Sequence, residues 1–210
     1  MYNKLQYISQ GDTVQAQLYN IHKALDSGCD WIQLRFKNQN AIEVFTLAEA
    51  VKTLCNEYLA TFIINDNVHL AKQLDADGVH LGLSDMNIEE ARTLLGKNKI
   101  IGGTANTFEH VLQRATENCD YIGLGPFQFT ATKEKLSPIL GLDGYRFIIE
   151  QMKFDKVEIP IYAIGGISLE NVESLMETGI HGIAVSGLIT TSTNPAELIT
   201  QLNEKLYVNI

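Results

Sequence analysis

Eight short apolar runs, each followed by an amphipathic segment, set a regular beat along the chain. They read as strands at LQYIS (5–9), WIQLR (31–35), TFIIN (61–65), GVHLG (78–82), KIIGGTA (99–105), YIGLGP (121–126), PIYAIGG (160–166) and GIAVSG (182–187). Helices are expected between them. NAIEVFTLAEAVKTLCNEYL places Ile42, Phe45, Ala48 and Leu54 near helical spacing. SLENVESLMETG opens on Ser168 as an N-cap and stops at Gly179, and NPAELITQLNEKL has Asn194 as cap with Pro195 at the first helical position. A weak repeat (GCDWIQLR, DADGVHLG, NCDYIGLG, GIHGIAVSG) sets a small or acidic residue before alternate strands. Eight strands alternating with helices in 210 residues point to a minimal (β/α)8 TIM barrel. A doubly wound open sheet is the alternative, but its GxGxxG fingerprint after the first strand is missing, since ISQGDT has one glycine.

Nothing in the composition divides this chain. With 45% hydrophobic and 20% charged residues and no low-complexity tract, a single domain over residues 1–210 is expected. The net charge of -9 argues against nucleic acid or an anionic membrane as partner. A small anionic substrate stays open, because a few cations gathered at one site override the global field locally. Cys29, Cys55 and Cys119 form no CxxC pair and read as reduced, buried thiols of a cytoplasmic protein. MYNKLQYISQ has no signal-peptide pattern, and no apolar run approaches the roughly 18 residues that span a bilayer.

In such a barrel, polar residues at the C-terminal ends of the strands face one mouth. In the second strand Gln33, Arg35 and Lys37 share one parity and Ile32, Leu34 and Phe36 the other. The apolar set packs outward on helices, so the polar set points into the barrel or its rim, where an Arg is costly unless it meets an anion. The third strand ends at Asn65 and Asp66 and the fourth runs on to Asp85. Neighbouring strands lie about 4.8 Å apart, so two carboxylates at adjacent ends reach one ion. Hard oxygen ligands with room for waters and phosphate suit Mg2+. Each Asp also reads as an N-cap, Asp66 before NVHLAKQL and Asp85 before MNIEEARTLL. The seventh and eighth strands end in AIGGIS and AVSGLIT, where Gly165, Gly166 and Gly187 let backbone amides approach a phosphate. Between these sectors the segment from Gly123 to Tyr145 carries a long loop bearing Thr130, Thr132 and Lys133, placed to close over both ligands.

Taken in order, QLRFK, IINDN, ADGVHLGLSD, IGGTANT, YIGLGPFQFTATK and AIGGI resemble the thiamine phosphate synthase and TenI superfamily of small (β/α)8 barrels, over nearly the whole chain. The resemblance implies Mg2+-dependent condensation of 4-amino-2-methyl-5-(diphosphooxymethyl)pyrimidine with thiazole phosphate, releasing pyrophosphate. It implies that Gln33, Arg35, Lys37, Asn65, Thr104 and Lys133 bind the pyrimidine diphosphate, with Arg35, Lys37 and Lys133 acting in catalysis. It makes Asp66 and Asp85 the magnesium ligands and gives the thiazole phosphate to Thr130, Ala131, Thr132, Gly166, Ser186 and Gly187. Thr104 stands where many relatives have Ser. Asn106 replaces a common His, Leu83 a frequent Gln, and Ser186-Gly187 the usual aliphatic-Ser pair.

The resemblance carries rivals with it. A TenI-like thiazole tautomerase shares the fold but lacks part of the diphosphate-metal set. A phosphosugar isomerase or aldolase wants a base or Schiff-base Lys on a strand end, and the third to eighth strands show no inward Lys. A regulator that holds thiazole phosphate without turnover has little use for a metal-diphosphate clamp. His80 on the fourth strand reads equally as a pocket residue or a satisfied interior histidine. The oligomeric state, a homo-oligomer included, is left open by the sequence.

Overall fold

A computed structural model describes residues 2–37, 39–129 and 138–207. Eight strands, β1 (Leu5–Ile8), β2 (Trp31–Leu34), β3 (Thr61–Asn65), β4 (Gly78–Leu81), β5 (Ile100–Ala105), β6 (Tyr121–Leu124), β7 (Ile161–Ile164) and β8 (Gly182–Val185), pair in sequence order. Every pair is parallel, and β8 closes on β1 in the register Leu5↔Ile183, Gln6↔Ala184, Tyr7↔Val185. The result is a (β/α)8 TIM barrel. Each expected strand is present, trimmed by a residue or more at most ends because the last polar residues turn out into the rim.

The helices are α1 (Val14–Asp26), α2 (Ala41–Glu57), α3 (Val68–Gln73), α4 (Ile88–Leu95), α5 (Phe108–Thr116), α6 (Gly141–Phe154), α7 (Val172–Met176), α8 (Gly187–Thr190) and α9 (Pro195–Tyr207). Local chemistry sets their starts. Thr13 caps α1 and Asn40 caps α2, each accepting from a backbone N–H three residues on. Ser168 heads a capping box with Asn171, but the first turn is a 3-10 turn and α7 ends before Gly179, at Met176. The buried face of α2 is Leu47, Ala48, Val51 and Cys55, with Phe45 and Leu54 partly buried against the core; of the expected stripe only Ile42 departs, at 79% exposed. Ile42 lies in the first turn, outside the packed face. Among the described residues no helix is long and apolar enough to cross a membrane.

The interior is filled rather than hollow. Trp31, Ile63, Tyr121 and Tyr162 form an inward cluster separate from the outer core. Its rings meet edge to face: Trp31 lies 5.1 Å from both Tyr121 and Tyr162, and Tyr121 5.4 Å from Tyr162. Outward residues such as Ile32, Phe62, Val79, Ile101 and Ile183 pack under the helices. Space for the aromatics comes from small inward neighbours. A Cβ on Gly102 would stand 2.2 Å from Tyr121 Cζ. The Tyr121 ring is fenced by Trp31 and Tyr162, so it cannot yield. Gly102→Ala is therefore expected to cost about 3 kcal/mol and lower the melting temperature by roughly 6–12 °C, measured by thermal unfolding.

Candidate active site

All strands point their C-terminal ends at one rim, and a cavity of about 800 Å³ opens there. Ten residues expected from the sequence line it: Gln33, Arg35, Lys37, Asn65, Asp66, Asp85, Thr104, Gly166, Ser186 and Gly187. Ile8, His80, Ile164, Ile167 and Leu188 add apolar and ring surface. Thr130, Ala131, Thr132 and Lys133 lie outside the described residues.

The basic segment leaves β2 as its parity requires. Gln33 is buried among interior groups, while Arg35 and Lys37 lie past the strand end on the rim. The backbone there is pinned: Arg35 N donates to Ser9 Oγ (2.9 Å), and Gln17 Nε2 donates to the Arg35 carbonyl (3.2 Å). Lys37 Nζ reaches Asp66 Oδ2 at 2.7 Å.

Asp66 sits directly after β3 with φ +63°, a left-handed conformation uncommon outside glycine that Asp adopts more readily than most residues. Its N–H donates to the His80 carbonyl (2.9 Å), which anchors the turn. Asp85 Oδ2 accepts from Gly82 N–H at 2.6 Å. Neither acid caps a helix. Asn67 caps α3 by accepting from Leu70 N–H, and Asn87 caps α4 by accepting from Glu89 N–H. The two carboxylates are thus released from capping and face each other. Burial, and then hydrogen bonding with the Asp85 carboxyl, hold the Asp66 carboxyl above its usual 3.8, against the pull of Lys37. Two crowded acids beside only partial compensation are a donor set for a hard divalent cation. Among the described residues no cluster of three or more His, Cys, Asp or Glu side chains could hold one by protein groups alone. Magnesium fits this set, because it is commonly held by one or two carboxylates plus waters and substrate phosphates.

Opposite lies the glycine sector. Gly165 (φ +86°) and Gly166 (φ +70°) follow β7 in a conformation suited to glycine. A Cβ at Gly166 would stand 2.7 Å from the Phe129 carbonyl oxygen, so that glycine is required by packing as well. Gly187 differs: among the described residues the nearest atom to a Cβ there is Gln10 Oε1 at 3.7 Å. Ser186 Oγ lies 3.4 Å from the same Gln10 oxygen.

The floor is a chain of buried polar groups. Gln33 bonds Gln6, Gln6 bonds Tyr121, and Tyr121 and Thr104 bond the two nitrogens of His80. His80 is therefore both a cavity residue and a satisfied interior histidine. Gln6 and Tyr121 were not singled out in the sequence, since each sits inside an apolar strand. Arg114 was also missed. It is 3% exposed, pairs with Glu117 at 2.8 Å, and donates to the carbonyls of Gly82 (2.9 Å) and Thr104 (3.3 Å), tying the rim ends of β4 and β5. Asn106 ties the rim as well, through its Nδ2 to the Gly125 carbonyl. Leu83 stands 43% exposed. Cys29, Cys55 and Cys119 are free and buried, with thiols that burial pushes up to about 12, too high for nucleophiles at neutral pH.

Compared with known proteins, residues 5–189 match the family described as thiamine monophosphate synthase. The chain belongs to this family. The thiamine-phosphate synthase of Flavobacterium psychrophilum is 74% identical over 206 residues, 98% of this chain and 100% of that protein. That of Flavobacterium johnsoniae is 67% identical over 210 residues, 100% of this chain and 99% of the other. Among solved structures, thiamine phosphate pyrophosphorylase from Pyrococcus furiosus superposes with a TM-score of 0.83 at 32% identity, over 97% of this chain and 95% of that one. The acid pair's electrostatics belong to this chain's own geometry. A raised carboxyl binds its proton more tightly when folded. Asp66's contribution to stability in the metal-free protein is therefore present below 3.8 and lost as pH rises through the folded value. Carbon-13 titration should place Asp66 above 3.8 and show it falling in Asp85→Asn; a value at or below 3.8 in the parent contradicts this electrostatic picture.

Proposed function

We propose that the protein is a thiamine phosphate synthase, joining the aminopyrimidine diphosphate to thiazole phosphate and releasing pyrophosphate. The observation that carries this reading is the meeting of Arg35, Lys37, Asp66 and Asp85 on one arc of a cavity whose far wall is Gly166, Ser186 and Gly187. One arc suits a diphosphate and the other a single phosphate, which is the substrate pair of this reaction.

The chemistry asks for no protein nucleophile. The electron-rich aminopyrimidine spreads positive charge from its methylene carbon, so the carbon–oxygen bond to pyrophosphate breaks ahead of attack by the thiazole nitrogen. The protein stabilises charge on the departing group and keeps the nucleophile in line. Arg35 and Lys37 supply cations at the diphosphate arc, and Lys133 is assigned there by family resemblance. Asp66 and Asp85 would hold Mg2+, which when bound neutralises charge on the diphosphate oxygens. Backbone amides around Gly166 and Gly187 grip the phosphate of the thiazole and fix its ring relative to the reacting carbon, and the family resemblance assigns Thr130, Ala131 and Thr132 to the same phosphate. The net charge of -9 and the local basic arc suit small phosphorylated substrates and no nucleic acid or membrane partner. Three buried, unpaired thiols favour a reducing cytoplasm.

Incubating the purified protein with both phosphorylated precursors and Mg2+ should yield thiamine phosphate by mass; no product would defeat the proposal. Asp66→Asn and Asp85→Asn should each lower kcat/KM about 10²-fold or more, with a raised magnesium requirement. Turnover with parental magnesium dependence in both would remove the metal assignment. Gly187→Val should raise KM for thiazole phosphate about tenfold with little loss of stability, since among the described residues a Cβ there meets only Gln10 at 3.7 Å. An unchanged KM would place that phosphate elsewhere.

A further inference from the structure

The hydrogen bonds beneath the cavity run in one direction. Gln33 Nε2 donates to Gln6 Oε1 (2.9 Å), and Gln6 Nε2 donates to Tyr121 Oη (3.2 Å). Having accepted from Gln6, the Tyr121 hydroxyl has its proton to give to His80 Nδ1, 3.1 Å away. Burial pushes this phenol far above its ordinary value, so the proton is always there to give. An imidazole whose Nδ1 accepts carries its hydrogen on Nε2. His80 Nε2 therefore donates to Thr104 Oγ1 at 3.0 Å. Thr104 is now an acceptor within the protein and turns its own hydrogen to the cavity. At the other end Gln33 gives one amide N–H to Gln6, and among the described residues its carbonyl oxygen takes no protein hydrogen bond and is left for the cavity it lines. Reversing one link forces the next, because a buried donor facing a donor is costly.

We propose that Tyr121 and Gln6 are specificity-determining positioning residues: acting through His80, they fix the cavity floor as an acceptor at Gln33 and a donor at Thr104. Neither lines the cavity and each is 1% exposed, so neither touches a ligand. The inference rests on the aminopyrimidine substrate proposed above. A 4-aminopyrimidine has amino hydrogens to give and unprotonated ring nitrogens to accept, which matches that floor. Its 4-oxo counterpart has an acceptor oxygen in place of the amino group and a proton on a ring nitrogen. Its polarity opposes the floor at both places, and a site built to hydrogen-bond one partner rejects the mismatched one strongly. Without the Tyr121 hydroxyl, His80 is free to carry its hydrogen on Nδ1. Thr104 then donates inward and shows the cavity an acceptor.

The test is calorimetry on the magnesium-loaded protein without thiazole phosphate. It uses the diphosphate of 4-amino-5-hydroxymethyl-2-methylpyrimidine, its 4-oxo counterpart, and pyrophosphate as control. The parent should bind the amino compound at least ~10²-fold more tightly than the oxo compound. Tyr121→Phe and Gln6→Met should each shrink that ratio about tenfold or more while binding pyrophosphate as the parent does. A ratio unchanged in either folded variant overturns the proposal, as does an equal loss for both pyrimidines and pyrophosphate. If neither variant folds, nitrogen NMR of the parent decides: a bare Nδ1 and protonated Nε2 at His80 support the relay, and the opposite tautomer overturns it. A parent that binds neither pyrimidine sinks the underlying function; one that discriminates, with variants that discriminate equally, sinks the relay alone.

Discussion

Closure of the β8–β1 seam is the constraint on which everything else depends. A parallel strand offers backbone donors and acceptors along both edges, and buried ones cannot stay unpaired. With β8 bonded to β1 there is no edge left, and every strand is buried on both faces. The helical segment after each strand carries the chain back along the outside, so the strands run the same way and eight C-terminal ends share one rim. Residues as far apart as Gln33 and Gly187 then line one cavity without any local segment arranging it.

A closed barrel this narrow must be filled, and how it is filled sorts chemistry by height. Aromatic rings occupy the lower interior, with glycine at Gly102 giving Tyr121 its place. Above them the polar chain through Gln6, Tyr121 and His80 is the transition to solvent, and the ionic groups come only at the rim. This order follows from desolvation cost. Uncharged hydrogen-bonding groups survive burial when each has a partner, whereas carboxylates and cations do not unless paired. Asp66 marks the boundary: burial raises its carboxyl while Lys37 at 2.7 Å lowers it. An acid held in that balance is one whose neutralisation by a bound cation is favourable.

The strands and the inward parity of Gln33 were legible because a period of two is local and strong. The rim acids were legible as residues but not as roles, since each could have been an N-cap. Only the fold shows that Asn67 and Asn87, one and two residues further on, take the caps and free both acids. Ile42 misled because helical spacing does not say whether the first turn of a helix is covered. Gln6 and Tyr121 stayed hidden for another reason. Their partnership spans 115 residues, and each alone looks like a stray polar group in an apolar strand. Arg114 was missed because its Glu117 partner reads as an ordinary local helix pair, while the Gly82 and Thr104 carbonyls it ties lie far off in the chain.

The glycines of the far wall are not equivalent, and the difference separates scaffold from ligand contact. Gly166 is demanded by the protein itself: its φ is +70° and a side chain would strike the Phe129 carbonyl. Gly187 meets no such demand, having room for a Cβ beside Gln10. Among the described residues, that leaves space beside the cavity at a strand end opposite the basic arc. The exchange of an aliphatic-Ser pair for Ser186-Gly187 is then intelligible. A contact made through backbone amides does not depend on which side chain stands above it, provided the side chain stays out of the way, and glycine satisfies that condition most fully.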